Sequence, residues 1–159
     1  MCGFKAGPFD SFSDGAIHVA VDSCSSFVSC LTQPHLTSDN AVWLIEKRAV
    51  PAFKKVGHHI DAVATSSSRV FGPTVWTFLA NSSIKSHSGK GMGRGYIECF
   101  KTAVEKDFVL GQVCDREFND FNGLRTAFNE WWRAYNEAPL DGFPNFGKSP
   151  SAMLRKPAA

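Results

Sequence analysis

Apolar and polar positions along this chain follow two periods, and the switch between them marks out its parts. Ala16–Val21, reading AIHVAV, and Phe27–Gln33, reading FVSCLTQ, are short runs rich in β-branched residues and predict strands. An extended stretch precedes them, Phe4–Ser13, interrupted by Gly7 and Pro8, and Asp14-Gly15 after it is a two-residue hairpin signal. Three strands joined by tight turns predict an antiparallel meander. From Thr37 the spacing becomes helical. Thr37 or Ser38 can cap a helix with Asp39 in its first turn, followed by Ala41, Leu44, Ile45 and Arg48, and Pro51 is expected to end or kink it. His59–Thr65 predicts a buried fourth strand, Arg69–Asn81 a short helix beginning properly near Pro73, and Ser83–His87 a short fifth strand. Ser88–Gly95, with glycine at every second or third position, suits no regular element. Two helices close the pattern. Tyr96–Leu110 carries Ile97, Phe100, Ala103, Val104 and Phe108 on one face, and Arg116–Ala138 carries Phe118, Phe121, Leu124, Phe128, Trp131, Trp132 and Tyr135 along a broad stripe. The turn-rich tail, residues 138–159, is expected to be loosely ordered. The order β-β-β-α-β-α-β-α-α, without internal repeat or linker, predicts one domain over residues 1–159, its core at about 6–137.

Composition narrows the class without choosing a function. The 159 residues are 43% hydrophobic and 20% charged, a globular balance that argues against disorder except at the ends. A net charge of only +2 means that any nucleic-acid footprint must come from local clustering. Five cysteines, Cys2, Cys24, Cys30, Cys99 and Cys114, include no C-x-x-C pair, which favours a reducing compartment over a disulfide framework or zinc site. No signal peptide follows Met1, and no apolar run approaches the ~20 residues of a membrane span. The expectation is a cytoplasmic chain with no membrane partner.

The glycine-rich loop is the first candidate for chemistry. It lacks the Gly-Lys-Ser/Thr ending of a P-loop and the dinucleotide fingerprint. It does gather Lys85, Lys90, Arg94 and Lys101, with Glu98 the sole acid between residues 85 and 101. Such a loop beside one helix-borne carboxylate suits a phosphodiester backbone. The histidines, His18, His35, His58, His59 and His87, form no ligand spacing and are expected in packing or surface roles. Ser66–Ser68 lack the Gly-x-Ser-x-Gly elbow of a hydrolase.

Taken in order, these pieces resemble the catalytic core of retroviral-type integrases and the related transposases of bacterial insertion sequences. FDSFSDGAIHVAVDSCSSFV resembles the first Asp-bearing strand turning back into an apolar one. TSDNAVWLIEKRAV is similar to the family's first helix, VATSSSRVF to its TDNGxxF segment, and GKGMGRGYIECF to its flexible loop and G-x-V-E-R-F helix start. LRTAFNEWWRAYNEAPLDGFPNFGKSPSAML resembles the insertion-sequence ending with its tryptophan and YN. The resemblance covers roughly residues 6–155. It implies an RNase H-like α/β fold, a mixed five-stranded sheet of three antiparallel and two parallel strands flanked by helices.

It also implies DNA strand cleavage and transfer, with two divalent metals, Mg²⁺ or Mn²⁺, held by Asp, Asp and Glu. Asp10 matches the first Asp and Glu98 the Glu, but the second Asp falls on Ser66, and Ser67-Ser68 replace the Asn-Gly. Asp61 lies five residues upstream of Ser66 on the expected strand, so its side chain leaves the opposite face, roughly 16 Å away. Asp14 and Asp22 sit near hairpin ends. The expectation is a degenerate site with weak or absent metal binding at Asp10 and Glu98, DNA contacts from Lys85, Lys90, Arg94 and Lys101, and a homodimer. The chain begins too near its first strand to hold a helix-turn-helix or zinc module ahead of it, which fits an excised or decayed core. Two alternatives are an active metal-dependent transferase with a non-standard ligand set and a protein-interaction module, favoured if Trp131 or Trp132 is exposed.

Overall fold

The computed structural model describes residues 2–5, 15–65, 71–88, 93–113, 118 and 120–155. Three strands, β1 (Cys2–Lys5), β2 (Ala16–Val21) and β3 (Val28–Gln33), form an antiparallel sheet in that order. The first three residues of β2, Ala16, Ile17 and His18, and its fourth, Val19, are all buried, because helices cover both faces of this central strand. Its alternation still divides the core. Ile17 and Val19, with Val28 and Cys30 of β3, face Phe100, Val104, Phe108, Leu124, Phe128 and Trp132. Ala20 and Leu31 face the other way, toward Ala41, Leu44, Ile45, Val63, Phe71, Val75 and Leu79.

Two expectations about the strands need correction. The register pairs Ala16 with Lys5 and Val19 with Cys2, so Ala16 is not the first residue after a two-residue turn; Ser13 and Asp14 themselves lie outside the described residues. The sheet is also not five-stranded among the described residues. β4 (Ala62–Thr65) and β5 (Lys85–Ser88) pair parallel with each other as a separate two-stranded sheet. A five-stranded sheet needs β1 to lend its free edge to β4, and here β1 is four residues long, with most of the expected Phe4–Ser13 strand outside the described residues.

α1 (Ser38–Leu44) begins as its sequence demands, the Thr37 hydroxyl accepting the Asn40 amide at 3.2 Å. Pro51 neither ends nor breaks the helix that follows. The turn before it, Ile45–Ala49, widens to π-helical geometry and α2 (Val50–Lys55) continues to Lys55. Proline has no N–H to give and its ring crowds the carbonyl four residues back; widening the preceding turn relieves both. α3 (Pro73–Asn81) buries Val75 and Leu79. α4 (Arg94–Ala103) runs on as a second π-helical stretch, Val104–Val113, and α5 (Phe121–Glu137) begins five residues later than the sequence suggests. Its start is fixed by Asp120, whose carboxylate accepts the Gly123 amide at 2.7 Å.

The tail expected to be loose is docked as far as Arg155. Asn145 is buried and donates to the Ser25 carbonyl at 3.0 Å, Leu140 bridges to Lys148, and a last helix, α6 (Pro150–Leu154), buries Pro150, Ser151 and Leu154. The outer edge of β3 is closed by side chains. Asn136 accepts the Val28 amide at 3.0 Å and donates to the Val28 carbonyl at 2.8 Å, while Trp132 Nε1 donates to the same carbonyl at 2.7 Å. A carboxamide thus stands in for a neighbouring strand. Trp132 and Asn136, one turn apart on α5, are the tryptophan and asparagine of the terminal motif, and both serve structure.

Candidate functional site

The parallel pairing of β4 with β5 sets Thr65 opposite Ser88. The chain therefore leaves both strands at one end of the small sheet, the end where α/β folds gather ligand-binding groups. Ser66 follows the buried Thr65 directly, and the glycine-rich segment follows Ser88. α4 starts beyond that segment, after Gly93, whose φ of +76° is a left-handed conformation that side-chain-bearing residues adopt only at a cost. Asp10, Ser66 and Lys90 lie outside the described residues. Lys85, Arg94, Glu98 and Lys101 lie within them.

Glu98 stands in the second turn of α4 with its side chain 55% exposed, and Arg94 Nε lies 4.0 Å from its Oε1. Lys101 Nζ lies 4.0 Å from Glu105 Oε1 in the same i,i+4 relation. Arg94, Glu98, Lys101 and Glu105 therefore form one solvent-facing stripe of alternating sign beside the loop. Exposed pairs at this distance are worth only ~0.3–0.5 kcal/mol, so a phosphate could displace Glu98 from Arg94 at little cost. Lys85 opens β5, exposed and without an ion pair among the described residues.

Other acids are engaged elsewhere. Asp61 is exposed and meets His59 at 2.8 Å, and Asp22 holds the β2–β3 turn by accepting from the Ser25 amide and hydroxyl. Among the described residues no three His, Cys, Asp or Glu side chains converge as a metal site. Of the three residues that the resemblance assigns to a metal site, Asp10, Ser66 and Glu98, only Glu98 lies within the described residues. As a donor set, two carboxylates and a neutral hydroxyl are one anion short of the three that two dications over one phosphate require.

Two features escaped sequence reasoning. His18 is wholly buried, and neither ring nitrogen has a hydrogen-bond partner among the described residues. Burial lowers its pKa, and the nearby His35 carbonyl opposes that shift without reaching hydrogen-bond geometry. No periodicity distinguishes such a histidine from a surface one. The second feature is a cleft of about 550 Å³ between α4, α5 and the loop after α5. Tyr135, which lines it, has its hydroxyl pushed up to about 12, chiefly by burial and further by Cys99, Cys30 and Asp107. The recurrence of Tyr96, Cys99 and Ala103 along α4, continued by Asp107 on the π-helical stretch beyond it, was its one legible sign. Trp132 is buried at 7% exposure and Trp131 is half-buried, which counts against an exposed tryptophan stripe.

The order of these elements gives an α/β domain whose fold is similar to that of retroviral integrase catalytic cores. Among solved structures it is similar to the HTLV-2 integrase catalytic core domain in complex with magnesium, in a trimeric form, at 18% identity and a TM-score of 0.62 over 88% of this chain and 84% of that one. It is also similar to the simian T-cell lymphotropic virus intasome in complex with PP2A regulatory subunit B56 gamma, at 15% identity and a TM-score of 0.66, over 90% of this chain and 49% of that one. No protein-family model and no curated protein matches the sequence. Among the described residues no helix is long and apolar enough to cross a membrane.

Proposed function

We propose that residues 1–159 form a single integrase-core-like domain, of retroviral or insertion-sequence transposase kinship, whose strand-transfer chemistry is impaired and whose remaining role is DNA contact or self-association. The observation that carries this reading is the coincidence of an integrase-type fold with a serine at position 66, directly after the buried end of β4. Where a carboxylate would neutralise and position a cation, a hydroxyl supplies neither charge nor strong ligation. Each metal contributes several kcal/mol of charge stabilisation to phosphoryl transfer, so the deficit suppresses the reaction by orders of magnitude. Magnesium or manganese bound at Asp10 and Glu98 would be weak. Lys85, Lys90, Arg94 and Lys101 are the groups assigned to the phosphodiester backbone, with Arg94 and Lys101 first leaving their glutamate partners.

The test is a nicking and strand-transfer assay on a labelled duplex, with Mg²⁺ and Mn²⁺ titrated against the natural chain and against Ser66→Asp. The natural chain is expected to be silent, and the substitution to create manganese-dependent nicking that Glu98→Gln abolishes. Cleavage by the natural chain, lost on Glu98→Gln, would instead establish an active transferase with an unorthodox ligand set.

A further inference from the structure

The cleft described above has no part in that reading. At 100° per residue, Tyr96, Cys99 and Ala103 fall on the opposite side of α4 from Arg94, Glu98 and Lys101. Its floor is kept open by small residues, Ala103 from α4 and Ala134 and Ala138 from the end of α5. One wall is aromatic: the rings of Trp131 and Tyr135 lie 5.7 Å apart at 36°, backed by Phe100. Two carboxylates, Asp107 and Asp141, belong to the lining, and among the described residues no lysine, arginine or histidine does. Aromatic faces and anionic oxygens both attract an organic cation and both disfavour an anion.

The apolar surface extends past the cleft mouth. Phe143 lines the cleft and meets Phe146 edge-to-face at 6.0 Å, yet the two rings are 76% and 72% exposed. Their loop is not slack: Pro144 and Asn145 between them are buried, and the Phe146 amide donates to the Gly142 carbonyl at 2.7 Å. Phe146 itself takes a φ of +46°, a left-handed conformation costly for a bulky side chain. A rigid loop that holds two phenyl rings in water beside an acidic, aromatic cleft has the form of a recognition surface longer than one side chain.

We propose that this surface docks a basic peptide segment. A lysine or arginine enters the cleft over Trp131 and Tyr135, toward Asp107 and Asp141, and apolar residues flanking it lie on Phe143 and Phe146. Charge complementarity selects this occupant, because an acidic or purely apolar peptide would leave both carboxylates desolvated without a counter-charge.

The test uses the full chain and fluorescence anisotropy of a fluorescein-labelled heptapeptide of alternating leucine and arginine. Two controls are the same peptide with glutamate, or with uncharged citrulline, at the arginine positions. The basic peptide is expected to bind and both controls to bind at least tenfold more weakly. Asp107→Asn with Asp141→Asn should weaken it about tenfold, as should Phe143→Ser with Phe146→Gly. Glu46→Gln, an exposed acid on the π-helical turn after α1, should leave it unchanged. These substitutions are all at exposed positions, and a cooperative thermal melt no lower than a few degrees below that of the natural chain will confirm that each variant folds. Equal binding of the citrulline peptide, or indifference to the aspartate substitutions, overturns the proposal. So does a concentration-dependent dimer dissolved by the same substitutions, which would make the occupant a second copy of this chain.

Discussion

Asn136→Leu isolates the clamp on β3. The wild-type carboxamide gives the Val28 amide its hydrogen bond and shares the Val28 carbonyl with Trp132. Leucine fills nearly the same volume but satisfies neither group. The amide is then buried without a partner, at a cost of roughly 1–3 kcal/mol, while the carbonyl keeps Trp132 and loses one bond worth about 0.5–1.5 kcal/mol. The total, about 1.5–4.5 kcal/mol, corresponds to a melting temperature lower by something on the order of 10 °C for a domain of this size, and to a lower urea midpoint at unchanged m. Trp132→Phe removes one of two bonds to a carbonyl that Asn136 still satisfies, and should cost about 1 kcal/mol, plus any part due to the Arg48 guanidinium stacked over the indole at 5.6 Å. Asn136→Asp is the most telling variant. It keeps an acceptor for the Val28 amide but turns an anionic oxygen toward the Val28 carbonyl, so at pH 7 it should cost more than leucine. Burial raises the new carboxyl above its usual ~3.9, and protonation restores a donor; the variant should therefore regain stability relative to wild type as pH falls toward 5. Urea melts of all four proteins at pH 7 and pH 5 decide it. A leucine variant within 0.5 kcal/mol of wild type, or an aspartate variant without the relative recovery in acid, would refute the clamp.

Three further outcomes are expected. His18 has a folded pKa below its unfolded ~6.5, so its contribution to stability is intact above that value and falls by up to ~1.4 kcal/mol per pH unit as the medium is acidified below it; His18→Leu should flatten the slope in urea melts between pH 7 and pH 5 and raise stability at pH 5. Gly93→Ala meets no atom within 4 Å, so only the φ of +76° resists it, and thermal melts should show a loss of about 1–2 kcal/mol, with protection of the α4 amides falling first in hydrogen exchange. If Lys85 and Lys101 contact phosphates, Lys85→Ala with Lys101→Ala should lower the slope of log affinity against log salt by about 0.9 per lost contact on duplex DNA, and an unchanged slope removes them from the interface.

Local pattern found the elements whose identity depends on burial alone. β2 is observed over the six residues its composition marked, α3 starts at Pro73, and Thr37 caps α1. It failed where a distant partner decides. Asp14-Gly15 is a good turn pair, yet strand register is set by what faces the core, and Lys5 rather than Ser13 pairs with Ala16. Pro51 should break an isolated helix, yet the apolar contacts of Val50 with the second core outweigh the cost of one widened turn. On α5 a single broad aromatic stripe was legible, but not its division, in which Trp132 seals β3 while Trp131 walls the cleft. At the candidate catalytic end the resemblance alone marks Ser66 as a missing charge, and Ser66 lies outside the described residues. The pairing of Arg94 with Glu98 and of Lys101 with Glu105 could have been read from their four-residue spacing, and it alters the picture of a basic loop.

The two cores have different ancestries along the chain. One is assembled within a continuous stretch, Leu31 to Ile84, whereas the other joins Ile17, Val19, Val28 and Cys30 to residues from Phe100 to Trp132. During synthesis at about 5–20 residues per second, the first can close while the second still has one wall. For several seconds, until α4 and α5 have left the ribosome, the nascent sheet presents an uncovered greasy face and the unsealed rim of β3. That interval is when a chaperone would be needed, and a message truncated ahead of the Phe100 codon would yield a product that never outlives it.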